Sequence, residues 1–125
     1  MSSLTIEKRY LPILEILREI SIRANYFMNE ITKKGHSENK IKVISLLKTI
    51  SNTFGCFSKE LEKNKKFFPE FKNGIENIQN RCDAFPNLIS NIMSNGIERV
   101  KSKLYFIQQE SNKLYDEINA YKKEI

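Results

Sequence analysis

Apolar residues recur along this chain at alternating spacings of three and four, in four separate runs. The last run is the most regular: Ile97, Val100, Leu104, Ile107, Ser111, Leu114, Ile118, Tyr121 and Ile125. Because an α-helix turns once every 3.6 residues, this spacing draws one apolar stripe along one helix face. Only Ser111 breaks the apolar rule. A helix this long and this amphipathic has to bury its stripe against other helices. The first run is Tyr10, Ile13, Leu17, Ile20, Ala24, Phe27 and Ile31. It predicts a helix starting near Leu4, capped by Ser2 or Ser3, with Lys33 and Lys34 in its last turn and Gly35 just beyond. Pro12 lies inside it and predicts a bend.

The second run is Val43, Leu47, Ile50, Phe54, Phe57 and Leu61. Ser37 is the expected cap, Glu38 sits well in the first turn, and the helix should end near Lys66. The third run is Phe71, Ile75, Ile78, Cys82, Phe85, Ile89 and Ile92. Pro69 suits its first helical position, and Pro86 predicts a kink within it. At Ser94-Asn95-Gly96 the phase slips, since the third stripe would continue to position 96 while the fourth starts at Ile97. A turn containing Gly96 accounts for that. The pattern predicts an all-α, antiparallel up-down-up-down four-helix bundle, with residues 1–125 as one domain. The alternative has three long helices, the last running from about residue 87 to 125.

Charge adds the next constraint. The chain of 125 residues carries a net charge of +6, and hydrophobic residues make up 40% of it. Between Ile31 and Lys66 lie nine lysines (33, 34, 40, 42, 48, 59, 63, 65, 66) against three glutamates (38, 60, 62). The remainder is balanced, so the whole excess falls on the first connection and the second helix. Taken at 100° per residue, Lys48, Asn52, Lys59, Lys63 and Lys66 all lie opposite the second stripe. Lys48 to Lys66 should form one continuous outward stripe about 27 Å long, at 1.5 Å per residue. Such a band can meet an acidic protein or follow a phosphate backbone, and it can also serve only to keep the protein soluble.

Catalytic chemistry is sparsely represented. His36 is the only histidine and lies in a turn, so no metal-ligand spacing can be assembled around it. The four glycines are too far apart to form a phosphate-cradling loop. Cys82 falls on the third stripe and should be buried; Cys56 points away from the second and should be exposed. Neither has an evident base beside it. No catalytic, metal or cofactor-binding residues are assigned. The start of the sequence resembles no signal peptide and no run is long enough to span a membrane, which favours a cytoplasmic protein with free thiols.

Two further surfaces stand out. Phe67 and Phe68, in the segment KKFFPEF, cannot both face the core, so one should staple the turn while the other projects towards a partner. Asn73, Asn77, Asn80, Asn87 and Asn91, with Gln79 and Arg81, form a polar, nearly uncharged face on the third helix. The reading is a non-enzymatic protein-binding bundle of adaptor, chaperone or inhibitor/immunity type, acting through a helix face. The partner-contact candidates are Lys48, Asn52, Lys59, Lys63, Lys66, Phe67 and Phe68. The alternative is a small basic subunit that binds nucleic-acid backbone through residues 31–66. The long final stripe also leaves homodimerisation open.

Overall fold

A computed structural model of the chain describes residues 3–34, 39–90 and 96–124. It contains four long helices: α1 (Ser3–Lys34), α2 (Lys40–Asn64), α3 (Lys72–Ser90) and α4 (Gly96–Glu124). Two 3-10 turns, Lys65–Phe67 and Pro69–Phe71, join α2 to α3. Successive contacts run in opposite directions along neighbouring helices. Ser58 reaches Asp83 and Glu62 reaches Gln79, so α2 and α3 are antiparallel. Gly74 lies against Leu114 and Asn77 against Glu110, which makes α3 and α4 antiparallel too. The most extensive packing is between α1 and α4, followed by α2 with α3. The predicted antiparallel four-helix bundle is therefore what the chain forms.

The four stripes meet in one core. Tyr10, Ile13, Leu17, Ile20, Ala24, Phe27 and Ile31 of α1 are all buried. So are Leu47, Ile50, Phe54 and Leu61 of α2, and Ile75, Ile78, Cys82 and Phe85 of α3. Each such aliphatic side chain contributes about 1.5–3 kcal/mol by leaving water. Val43, Phe57, Phe71 and Tyr121 stay half-buried at the stripe margins. Ile92 and Ile125 lie outside the described residues, as does the side chain of Ile89. Across the middle of the bundle, Phe27, Phe54 and Phe85 link three helices, with Phe54 and Phe85 stacked at a centroid distance of 4.5 Å. Near the opposite end, Tyr10, Phe68, Phe71 and Tyr121 form a second aromatic cluster with centroids 5.2–6.2 Å apart.

Several boundaries differ from expectation. Asn39, not Ser37, caps α2, its side chain accepting from the Lys42 N–H at 3.3 Å. Asparagine and serine cap equally well, so periodicity alone does not choose between them. Gly35, His36, Ser37 and Glu38 lie outside the described residues, as do Ser94 and Asn95. Gly96 is not in a turn: it is the first residue of α4 and is buried beside Ile97. Pro69 opens a 3-10 turn instead of α3, which starts three residues later. Helix α2 closes at Asn64, so Lys66 is carried by the adjoining 3-10 turn. Pro12 and Pro86 both lie within helices that continue past them. Ser58 is buried off the stripe, where its hydroxyl donates to the Asp83 carboxylate.

Ser111 occupies a core position of α4 with no exposed surface, and its Oγ has no hydrogen-bond partner. Leu104, two turns earlier, is equally buried but wholly apolar. Leu104→Ala should therefore cost about 2–5 kcal/mol through lost burial and a cavity. Ser111→Ala should be neutral or stabilise by up to about 1 kcal/mol, because it removes an unsatisfied hydroxyl. Urea unfolding measures both. Equal losses for the two variants would show that the Ser111 hydroxyl is bonded in the core.

Candidate partner-binding surface

Helix α2 turns its apolar stripe inward, which forces the residues half a turn away to face outward. Lys48, Asn52, Lys59 and Lys63 are accordingly all exposed. From Lys48 to Lys63 this band runs about 22 Å along the helix, at 1.5 Å per residue. Lys66 is exposed beyond it, on the 3-10 turn, so the band is shorter as a single helical row than the sequence suggested. Lys63 approaches Glu60 at 3.7 Å across an exposed pair. Lys65, on the α3 side, is held by Glu62 at 2.8 Å and lies 3.8 Å from Glu76. Its amino group is held above its ordinary range by Glu62 first, against a smaller opposing effect of burial. Among the described residues, Lys48 and Lys59 have no carboxylate within ion-pair distance.

The aromatic turn divides as its sequence implied. Phe68 is 2% exposed and packs on Tyr10, whereas Phe67 is 59% exposed with the Lys66 ammonium 5.2 Å from its ring centre. This corrects Phe68 as a contact candidate: it belongs to the core. Phe67 keeps its place on the surface.

A polar clasp fixes this turn to α1. The Tyr10 hydroxyl donates to Glu70 Oε1 at 2.6 Å, and Arg9 Nη2 pairs with the same oxygen at 3.0 Å. Arg9 Nη1 also donates to the Tyr10 hydroxyl at 2.7 Å, and Nη2 lies 3.5 Å from the Phe67 carbonyl oxygen. Burial pulls the Glu70 carboxyl upward. The Tyr10 hydroxyl, the residue's own backbone N–H and Arg9 together outweigh it, so its pKa falls below the usual carboxylate value. Burial, reinforced by the Glu70 carboxylate, pushes the Tyr10 hydroxyl up to about 12.

Beside the lysine band lies a groove that periodicity did not indicate. It is a cleft of about 450 Å³ between the end of α1 and the start of α2. Tyr26 and Ile41 supply apolar surface, 51% and 77% exposed, with Leu46 deeper. Lys34, Lys42 and Glu30 form its charged edge, Lys34 and Glu30 paired at 2.7 Å. Ser45 and Thr49 are short, and the Thr49 hydroxyl donates back to the Ser45 carbonyl at 2.9 Å. Small side chains here leave the groove open. The available sequence signal was Ile41 and Tyr26 themselves, apolar residues out of phase with their helix stripes.

The other candidate features are also placed. Asn73, Asn77, Asn80 and Asn87 are exposed on α3, and Asn91 lies outside the described residues. Cys56 is exposed and Cys82 buried, both as free thiols. Burial pushes the Cys82 thiol up to about 12, with the neighbouring Asp83 adding to the effect. The α4 stripe from Ile97 to Ile118 is occupied inside the bundle, so a second copy would have to use another surface. Among the described residues there is no metal-ligand cluster, and no helix is long and apolar enough to cross a membrane. Comparison with known protein families, characterised proteins and solved structures gives no match.

The clasp makes alkaline stability a direct readout. A tyrosine ionises near pH 10 when unfolded, whereas folded Tyr10 does so near 12. A raised pKa contributes stability that is fully present below pH 10 and is lost as pH climbs towards 12. The parent protein should therefore lose stability more steeply over that interval than Tyr10→Phe. Parallel slopes in urea unfolding would show that the Tyr10 hydroxyl is neither buried nor held by Glu70.

Proposed function

We propose that this chain is a non-enzymatic protein-binding bundle of adaptor, chaperone or inhibitor type. It engages an acidic partner through the outer face of α2 and the adjoining α1–α2 groove. The observation that carries this reading is an exposed apolar anchor beside unpaired positive charge. Ile41 is 77% exposed, and on the same helix Lys48 and Lys59 have no ion pair among the described residues. Unpaired lysines draw in an acidic partner from a distance, and an apolar groove supplies the desolvated contact that holds it. An amphipathic helix with one acidic and one apolar face satisfies both. Lysine, asparagine and isoleucine offer contact area and charge without a nucleophile and base, which favours binding over turnover. The exposed free thiol of Cys56 accords with a reducing, cytoplasmic setting.

A second reading, contact with nucleic-acid backbone, draws on exposed Phe67 with Lys66 over its ring, since such an aromatic can stack on a base. No arginine lies between residues 31 and 66. Lysine alone attracts phosphates without reading bases.

Replacing Lys48, Lys59, Lys63 and Lys66 together with Gln separates the readings. Folding should survive, because the core stripe is untouched and surface changes shift stability by about 0.5 kcal/mol or less each. Association with an acidic amphipathic helical peptide should slow, most clearly at low salt. Nucleic-acid affinity should be weak in both forms. Strong, salt-sensitive binding of every nucleic-acid sequence by the parent alone would establish the second reading. An unchanged association rate and unchanged nucleic-acid affinity would remove both.

A further inference from the structure

Gly55 of α2 and Gly74 of α3 both lie within helices, where glycine is less favourable than alanine because its backbone loses more freedom on ordering. Packing accounts for Gly74, since a Cβ there would come within 2.8 Å of Leu114 Cδ1. Nothing inside the chain accounts for Gly55. A Cβ built at that position meets no atom within 4 Å, and no described glycine has a positive φ. Neither close packing nor backbone conformation requires a glycine there, so the reason for it is to be sought outside the bundle.

Its surroundings indicate what it faces. At about 100° per residue, Ile41, Ile44, Lys48, Gly55 and Lys59 fall within about 60° of one another around α2. Lys48 stands about 10 Å along the helix on one side of Gly55, and Lys59 about 6 Å on the other. Both lysines are exposed, and neither has an ion pair among the described residues. The carboxylate that follows in the row, Glu62, is already bonded to Lys65 and Gln79. Ile41 and Ile44, at the far end of the row, are exposed too. The face therefore combines unmatched positive charge, an apolar end and one point where another backbone can come close. A nucleic-acid backbone would match the charge but would leave the isoleucines without a counterpart. A helix bearing acidic and apolar side chains matches all three.

We propose that Gly55 is the point at which an acidic helix of a partner protein crosses α2, an inference that rests on the acidic-partner reading above. With no side chain at the crossing, the two helix axes can approach to the short end of the usual range of about 8–10 Å. At that separation the partner's carboxylates reach Lys48 and Lys59 on either side, and its apolar residues reach Ile44 and Ile41. A side chain at position 55 holds the helices apart and loosens all of these contacts together.

The test measures the full chain against a synthetic acidic helix of about 20 residues, cross-linked to stay helical and carrying leucines at one end. Gly55→Ala should raise the urea midpoint of the free protein, because alanine favours the helix and its methyl meets nothing. It should nevertheless weaken peptide binding several-fold, and Gly55→Leu at least tenfold, while Gln109→Leu, exposed on α4, leaves binding unchanged. A gain in stability paired with a loss of affinity is a result that a purely structural glycine does not give. Destabilisation by Gly55→Ala would show that the glycine serves the fold, and would overturn the proposal. Parent binding that both Gly55 variants retain in full, or that Gln109→Leu weakens as much, would also overturn it while leaving the acidic-partner reading standing. A parent that does not bind the peptide, or that binds only nucleic acid, would remove both.

Discussion

Four apolar stripes have to close on one another, and everything else in this bundle follows from that constraint. Removing the side chains of α1 from water is possible only if α4 and α2 flank it, and α3 then completes the ring. The aromatic contacts record how tightly the ring closes, with Phe54 stacked on Phe85 in the middle and Tyr10 set among Phe68, Phe71 and Tyr121 near one end. Ser111 is the exception, a buried hydroxyl without a partner in an otherwise apolar row. The surrounding burial is large enough to tolerate it.

Closing the core also determines the outside. Once the stripe of α2 turns inward, Lys48, Lys59 and Lys63 have only solvent to face. The clasp of Arg9, Tyr10 and Glu70 then decides which phenylalanine of the following turn is exposed, tying that segment to α1 so that Phe68 enters the core and Phe67 remains outside. Core packing, connection and surface chemistry are thus one chain of causes. The same constraint bears on assembly. A stripe consumed within the bundle cannot also pair with a second copy.

Helix number and core membership were legible in the sequence because a 3.6-residue period is a one-dimensional signal. Boundaries were less so. Asn39 and Ser37 are both good caps, and the phase slip near Gly96 located a break without saying which residue begins α4. The 3-10 turn at Pro69–Phe71 depends on how the connection docks against Tyr10, which no local pattern encodes. The outward lysines could be placed by helical arithmetic, whereas the groove at Tyr26 and Ile41 depends on how closely two helices approach.

If the lysine face of α2 is the contact surface, a bound partner should shield it in the cell. Lysine-reactivity footprinting, comparing the protein in its native cell with the purified chain, tests it most directly. Lys48, Lys59, Lys63 and Lys66 should lose reactivity in the cell, while exposed lysines on α4 such as Lys113 and Lys123 keep theirs. Uniform reactivity across all of these, or protection confined to α4, would contradict the account.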